Sequence, residues 1–289
     1  MRAEPSRVPR SVQSNSRVPA GVVTDASADV PSIERHSAAW SVVPEVWDVD
    51  STEHIDLGEQ SRQLIRGVLR DEAASAQAAT EEAFQRAYEE LFTSGVEHIW
   101  SIHGSANLSS AAAVAQRAAA DDPRITVVQT SVTSIGVGLL ARRVLQLATE
   151  GHPFAAIDAY VQRHAASVQF IVVPDHFDPM GGRRMMADRL LSGNPMLRAH
   201  EGQLARSRRL RSRRATIAAI ERYVAARAPE HATIRMAIGH GDAAGAIDPF
   251  LDIIERLRPH ASIELVGRIG PRVVQQIGAR CVGLAWIVE

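Results

Sequence analysis

Hydroxyl and imidazole side chains gather in short polar turns that follow runs of β-branched residues. In residues 101–120 an apolar run ends at His103, and an alanine-rich segment with helical character follows. Ser105 and Ser109 stand at the start of that expected helix, where backbone N–H groups lack partners and can bind an anion. Capping of the helix by Ser105 or Asn107 explains the same residues equally well. Both interpretations stay open on sequence grounds.

The same turns allow serine-hydrolase chemistry. Ser105 is the candidate nucleophile, His103 or His240 the candidate base, and Asp25 or Asp242 the candidate acid. The chain has no GxSxG nucleophile elbow, and a single histidine at a strand end is more often structural than catalytic. Hydrolysis is therefore an alternative hypothesis.

Several other chemistries are excluded by residue types that the chain lacks. It has no lysine, so all 32 of its basic residues are arginine. P-loop phosphate binding, protein-kinase catalysis and Schiff-base chemistry all depend on a lysine amine. The 11 histidines show no metal-ligand spacing such as HExxH,. We therefore expect no metal and no cofactor.

Composition indicates a globular protein. Of the 289 residues, 45% are hydrophobic and 22% charged, and the formal net charge of −1 gives no reason to expect nucleic-acid binding,. The single cysteine, Cys281, rules out an internal disulfide and fits a reducing, cytoplasmic setting,. Residues 1–19 are rich in Arg, Ser and Pro and lack the apolar core of a signal peptide, so we expect a disordered extension,.

Strand and helix patterns alternate from residue 21 onward, beginning with GVVTDASADVP at 21–31, where Asp29 and Pro31 are expected to open a helix. This alternation is typical of α/β proteins whose ligands bind at the carboxyl ends of the strands. A break near residues 150–166 suggests an N-terminal domain at 20–165 and a C-terminal domain at 166–289, with a ligand cleft between them. The strand candidates are 21–24, 41–47, 97–102, 124–129, 168–173, 195–198, 233–239, 261–266 and 281–288.

Two further segments have a distinctive composition. Gly136 and Gly138 begin a helix without GxGxxG spacing, which favours close helix packing over a dinucleotide site. The stretch LARSRRLRSRR at 204–214 alternates arginine with other residues, and this predicts a strand with an outward arginine face. That face is either simply solvated or a docking surface for an acidic or phosphate-bearing partner, with Arg206 and Arg209 as contacts.

A recognisable family emerges from the order of the motifs. In sequence order they are VVTDASADVP, SVVP, Ser75-Ala76-Gln77, SIHGSANLS, SIGVGLL, FIVVPD, GGRR, AIGHGD and RIGPRVVQQIG, spread over residues 21–288. This set resembles the DegV family of bacterial fatty-acid-binding proteins, some of which are the acyl-carrying subunit of a two-component fatty-acid kinase. The resemblance implies two α/β domains, mostly parallel in the first sheet and mixed in the second, with a ligand tunnel between them.

The resemblance also implies where the ligand binds. The positions that match the ligand-binding motifs of the family are Ser75, Ser105, Ser109, Asp25, Ser27, Gln276 and Gly278. Among the departures from the family pattern, Ala106 replaces a serine and Gln276 replaces a histidine. We therefore expect Ser75 and Ser105, with helix N-terminal N–H groups, to hold a carboxylate, and Gln276 to substitute for the histidine.

The functional expectation is a protein that holds a long-chain fatty acid and has no catalytic residue of its own. The resemblance implies a separate ATP-dependent fatty-acid kinase as a partner, contacted through Arg183, which matches the arginine of a double-glycine motif. Transient membrane contact would fit a lipid ligand. The alternatives are a regulatory protein that has lost kinase coupling and uses the arginine-rich region 183–214, and the serine hydrolase considered above.

Overall fold

The structure is a computed structural model. It describes residues 19–31, 34, 37–56, 62–71, 73–174, 194–210, 212–278 and 280–289. The expected disordered extension, apart from Pro19, and Arg183 lie outside these residues. The strands are β1 (Ala20–Asp25), β2 (Trp40–Val43), β3 (Glu45–Val49), β4 (Thr52–Asp56), β5 (Ser75–Gln77), β6 (His98–His103), β7 (Ile125–Gln129), β8 (Gln169–Pro174), β9 (Asn194–His200), β10 (Gln203–Leu210), β11 (Ile234–Gly241), β12 (Ser262–Arg268) and β13 (Cys281–Val288).

Eight α-helices are described alongside these strands. They are α1 (Arg62–Arg70), α2 (Glu81–Thr93), α3 (Ala111–Ala119), α4 (Ile135–Thr149), α5 (Phe154–His164), α6 (Arg213–Arg227), α7 (Ile247–Leu257) and α8 (Pro271–Ile277). Helix α2 begins at Glu81, because the Thr80 hydroxyl caps it and accepts a hydrogen bond from the Ala83 amide at 3.2 Å,.

The first sheet is parallel, in the strand order β2-β1-β6-β7. Helices α2 and α3 pack on one of its faces through Phe84, Leu91 and Ala115, which form one core cluster with Val23 and Ile99. Parallel strands end at the same edge of a sheet, so the carboxyl ends of β1 and β6 bring their polar turns together.

A small antiparallel sheet, in the order β4-β3-β5, stands beside the first. The sequence predicts one strand over 41–47, but Pro44 separates β2 from β3. Proline has no N–H for a strand ladder, so it divides the run into two strands that join different sheets. Strands β4 and β5 and helix α1 were not predicted.

The second sheet is mixed, in the order β10-β9-β8-β13-β11-β12. Only β11 and β12 pair in parallel among its described strands, and β10 forms a hairpin with β9. Strand β10 covers the first part of the stretch 204–214, for which the alternating arginines predict a strand. The structure thus confirms an α/β fold with one parallel and one mixed sheet. The domain limits at 20–165 and 166–289 stay a prediction.

Helix α4 lies between the two large sheets and contacts strands of both. Its residue Leu139 belongs to a core cluster that includes Val22 and Trp100 of the first sheet and Phe170 and Ala285 of the second. A Cβ atom at position 138 would lie 3.0 Å from the carbonyl oxygen of Ala28, so Gly138 permits the close packing that the sequence predicts. Among the described residues, none of the helices has the length and apolar character needed to cross a membrane.

Candidate ligand site

The site begins with a buried carboxylate at the end of β1. Asp25 is 1% exposed, and its Oδ1 accepts hydrogen bonds from the Ser27 amide at 3.0 Å and from the Ser27 hydroxyl. The turn is one 3₁₀ helix, Ala26–Ala28, which ends at Asp29 in the left-handed region with φ of 52°. The sequence correctly places the turn. The helix that Asp29 and Pro31 are expected to open would run through residues 32, 33, 35 and 36, which lie outside the described residues.

A chain of hydrogen bonds leads inward from Asp25. Its Oδ2 lies 2.8 Å from Nδ1 of His103, and Nε2 of that ring lies 2.7 Å from the Ser101 hydroxyl. The Ser101 hydroxyl lies 2.8 Å from the hydroxyl of Tyr88. Burial alone would raise the pKa of Asp25, but the bond to His103, its charge, the Ser27 hydroxyl and Arg272 together leave that pKa lowered,. The Asp25 side chain is therefore an ionised acceptor that orients His103.

These hydrogen bonds link an acid, a histidine and a serine as in a catalytic triad, but the serine is not accessible to a substrate. Ser101 is fully buried, so no substrate can reach its hydroxyl. Both ring nitrogens of His103 are engaged by Asp25 and Ser101, so the ring supplies no base to Ser105. The other candidate base, His240, accepts a hydrogen bond on Nδ1 from the Ala243 amide at 3.1 Å. The described contacts give Ser105 no activating partner.

Ser105 and Ser109 lie in the turn that follows β6, here called the rim of the site, and they are 3% and 8% exposed. The Ser105 hydroxyl accepts from the Asn107 amide at 3.2 Å, and the Ser109 hydroxyl accepts from the Ala111 amide at 3.2 Å. Both hydroxyls act only as acceptors in these bonds, so each keeps its own O–H to donate. Ser105 is also anchored to the next turn, because its amide donates to the Val132 carbonyl at 2.9 Å.

The tip of the β9–β10 hairpin lies on this rim. The Asn107 amide group donates to the Glu201 carbonyl at 3.2 Å. Gly202 has φ of 74°, and a Cβ atom there would lie 2.3 Å from the Ser105 hydroxyl oxygen. The second sheet thus contacts the turn that follows β6 of the first.

Arg272, in the first turn of α8, was not predicted to be part of the site. Its Nε donates to both oxygens of Glu45 at 3.0 and 3.1 Å, and its Nη2 donates to Glu45 Oε1 at 2.8 Å. Its Nη1 donates to the Leu108 carbonyl at 3.2 Å. Burial, followed by the charge of Asp25, raises the pKa of Glu45 to about 7 although Arg272 opposes the shift,.

A cavity opens where these elements meet. It has a volume of about 80 Å³ and is lined by Leu108, Thr133, Leu204, Arg272, Val273, Gln275 and Gln276. These residues come from the turns of the first sheet, from the hairpin and from α8. Pockets for whole drug-sized ligands measure roughly 300–1,000 Å³, so this cavity has the size of a polar head group.

A second buried carboxyl group joins three elements beside the cavity. Asp29 Oδ2 accepts hydrogen bonds from the Ser134 hydroxyl, at the start of α4, and from the Gly270 amide at 2.8 Å, directly before α8. Burial raises the pKa of Asp29 well above its ordinary value despite these two bonds, and the nearby Asp56 and Glu45 raise it further. Among the described residues, no group of three or more His, Cys, Asp or Glu is arranged to hold a metal ion.

The other predicted site residues are spread around the cavity. Gln276 lines it and is exposed, while Gly278, with φ of 100°, ends α8 next to it. Ser75 is exposed on β5, and its neighbour Ala74 accepts a hydrogen bond from the Gln275 amide at 2.8 Å. The structure therefore brings the strand of Ser75 to the same helix.

The predicted partner contacts lie on the hairpin or outside the described residues. Arg206 is exposed on β10, and Arg209 belongs to the same strand. Sequence patterns missed the ion pair of Arg272 and Glu45 at the candidate site. The sequence gives one signal for Arg272. Proline is typical of the first position of a helix, so Pro271 indicates that the arginine after it lies in a first helical turn,.

The fold and the site together define a class: two-sheet α/β proteins with a buried polar site at the junction of the sheets. A model of the family described as "Uncharacterised protein, DegV family" matches residues 19–289. The chain therefore belongs to the DegV family.

Similar proteins agree with that membership. A DegV domain-containing protein of Deinococcus radiodurans is 28% identical over 187 residues, which span 61% of this chain and 66%, just under two thirds, of that relative. A DegV domain-containing protein of Staphylococcus aureus is 23% identical over 235 residues, or 78% of this chain and 84% of that one.

Solved structures share the fold. A structure described as fatty acid binding of a DegV family protein from Thermus thermophilus has a TM-score of 0.77 and 24% identity, covering 93% of this chain and 99% of that one. A DegV lipid-binding protein from Thermotoga maritima has a TM-score of 0.74 and 18% identity, covering 93% and 98%.

Proposed function

We propose that this protein binds a long-chain fatty acid at the junction of its two large sheets. The observation that carries the proposal is the cavity lined by Thr133, Arg272 and the glutamines 275 and 276, where hydroxyl, guanidinium and amide donors surround a space of head-group size. Ser105 stands next to this lining, because its carbonyl accepts a hydrogen bond from the Leu108 amide at 2.9 Å. The family and the fatty-acid-binding descriptions of its structural neighbours support the same ligand class.

Neutral hydroxyl and amide donors would contribute to holding the carboxylate. Ser105 and Ser109 each keep an O–H to donate, and Gln276 lines the cavity in the position of the family histidine. Ser75 would complete the set from β5. Asp25 and Ser27 shape the first turn rather than touch the ligand, because an ionised carboxylate repels another.

The acyl chain would supply most of the binding free energy. Each buried CH₂ group contributes about 0.8 kcal/mol, so a dozen contribute on the order of 10 kcal/mol before ordering costs are subtracted. The chain needs more space than the cavity of about 80 Å³ offers. We infer that it enters by separating Leu204 of the hairpin from Val273 of α8, which both line the cavity.

The protein would act as a carrier and not as a catalyst. In this proposal a separate kinase in the cytoplasm receives the bound fatty acid, with the exposed Arg206 and the further arginines 183 and 209 as contacts. The arginine fork suits an acidic or phosphate-bearing partner.

A titration of delipidated protein with a long-chain fatty acid tests this proposal. We expect saturable one-to-one binding, and about tenfold weaker binding by Ser105→Ala, which corresponds to one lost hydrogen bond to a charged group. Ser94→Ala is the matched control, because that hydroxyl serves only the end of α2, where it donates to the Leu91 carbonyl at 2.7 Å. Absence of binding by the wild-type protein would refute the function, whereas equal affinities of the two variants would refute the role of Ser105.

A further inference from the structure

The arginine on the cavity wall already holds a carboxylate. Both carboxylate oxygens of Glu45 accept hydrogen bonds from Nε or Nη2 of Arg272, at N–O distances of 2.8–3.1 Å. The Glu45 side chain is 1% exposed, whereas that of Arg272 is 21% exposed and lines the cavity. A carboxylate that arrives in the cavity therefore meets the accessible side of a cation whose present partner lies behind it.

Arg272 has donors to spare for such a ligand. A guanidinium carries five N–H donors, and the contacts described use Nε, one N–H of Nη2 and one N–H of Nη1. One N–H on each terminal nitrogen has no partner among the residues that the structure describes. These two N–H groups are donors that a ligand carboxylate can use.

Glu45 is surrounded by charges of its own sign. Asp25 on β1 and Asp56 on β4 both raise the pKa of Glu45, and Asp29 interacts unfavourably with it from the turn after β1. Arg272 on α8 is the cation that offsets them. If Arg272 turns toward another carboxylate, Glu45 is left buried among acids and has to take up a proton.

We propose that Arg272 is the anchor for the ligand carboxylate, that Glu45 is a built-in competitor for it, and that ligand binding is coupled to proton uptake by Glu45. This inference rests on the proposed function, since it assigns the head-group partner and the pH response of that same site. It makes binding a partner exchange: the fatty-acid carboxylate takes the place of the Glu45 carboxylate, and the displaced Glu45 becomes neutral.

The sign of the pH dependence follows from this exchange. Glu45 has a pKa of about 7 in the unliganded protein, and loss of its arginine partner raises it further. Below pH 6 Glu45 already carries its proton, so affinity should not vary with pH. Above pH 7 each binding event takes up close to one proton, so affinity should fall by about tenfold per pH unit.

Calorimetric titration with dodecanoate at pH 6 to 8.5, in two buffers that differ in ionisation enthalpy, measures both affinity and proton uptake. For the wild-type protein we expect almost no uptake at pH 6 and close to one proton per ligand at pH 8. Glu45→Gln should bind independently of pH and about tenfold more tightly than wild type at pH 8. The pair Arg235→Gln with Glu264→Gln is the matched control, because that ion pair of 2.7 Å does not line the cavity; it should keep the wild-type pH response.

The double variant Glu45→Gln with Arg272→Gln removes both charges, so neither residue is left as an unpaired buried charge. It should lose the preference for dodecanoate over dodecanol, while dodecanol binds it as well as it binds wild type. Wild-type binding of dodecanoate without proton uptake at pH 8, or a double variant that keeps the preference, would overturn the inference while leaving the proposed function intact. A wild-type protein that binds neither compound would overturn both. If the double variant does not fold, the measurement on Glu45→Gln still tests the inference.

Discussion

At the scale of single residues, the site depends on carboxyl groups whose neighbours give them opposite tendencies to ionise. Asp25 has a lowered pKa because His103, Ser27 and Arg272 together outweigh its burial. Burial dominates for Asp29 and Glu45, and the pKa of each is raised. Asp25 therefore serves as a permanent acceptor, whereas Glu45 can change its charge near neutral pH.

Replacement of the ionised acceptor should cost stability in a pH-dependent way. We expect Asp25→Asn to lower the free energy of unfolding at pH 7 by about 2–3 kcal/mol, because a buried charged acceptor of His103 is lost. A carboxyl with a lowered pKa stabilises the fold above its unfolded pKa of 3.8, and this contribution disappears as the pH falls through the folded pKa,. Urea unfolding at pH 7 and at several values below pH 4 measures the difference.

Asp252→Asn, an exposed change on α7, is the control for this measurement and should be close to neutral,. A loss caused by Asp25→Asn that does not shrink at low pH would show that shape, and not charge, makes Asp25 important.

Sequence patterns located some of these residues and could not locate others. Ser105 and Ser27 were predicted as candidates because they stand in polar turns directly after strands, which is a local signal, and their role in ligand binding stays a prediction. Glu45 and Arg272 are separated by 227 positions along the chain. No local period links them, so their pairing appears only when α8 packs against the strands of the first half.

At the scale of elements, the β9–β10 hairpin connects the second sheet to the rim of the site. Its tip touches the Ser105 turn through Glu201 and Gly202. The alternating arginines predicted the strand β10, since a period of two residues is a local property. The position of the hairpin tip on Ser105 is a tertiary contact, and no sequence pattern indicated it.

A pair of glycine variants separates backbone strain from contact with the site. Gly202 and Gly151 both have left-handed backbones, with φ of 74° and 81°, but a Cβ atom at Gly151 meets nothing within 4 Å. We expect both alanine variants to lose about 1 kcal/mol of stability. Only Gly202→Ala should weaken fatty-acid binding, by about tenfold, because it displaces the Ser105 hydroxyl.

Thermal unfolding and ligand titration of the two variants provide the measurement. Equal fatty-acid affinities would show that the hairpin tip does not position Ser105.

At the scale of the whole molecule, helix α4 packs against both large sheets and joins them in one core. Helix α4 is buried between the two large sheets, and Leu139 and Leu140 on it are fully buried. The alternation of strands and helices predicted the α/β class, and the family resemblance implied one parallel and one mixed sheet. The small sheet β4-β3-β5 was missed because Pro44 divides an apolar run that reads as one strand. Short strands such as β5, of three residues, carry too little pattern to be recognised,.

The central claim is that this DegV-family protein carries a fatty acid, and native mass spectrometry of the protein as purified tests it most directly. An apolar ligand held with several kcal/mol of chain burial should survive purification. We predict a species heavier than the chain by the mass of one long-chain fatty acid, which organic extraction removes and added fatty acid restores. A protein that shows only the mass of the bare chain, before and after incubation with long-chain fatty acids, would contradict the account.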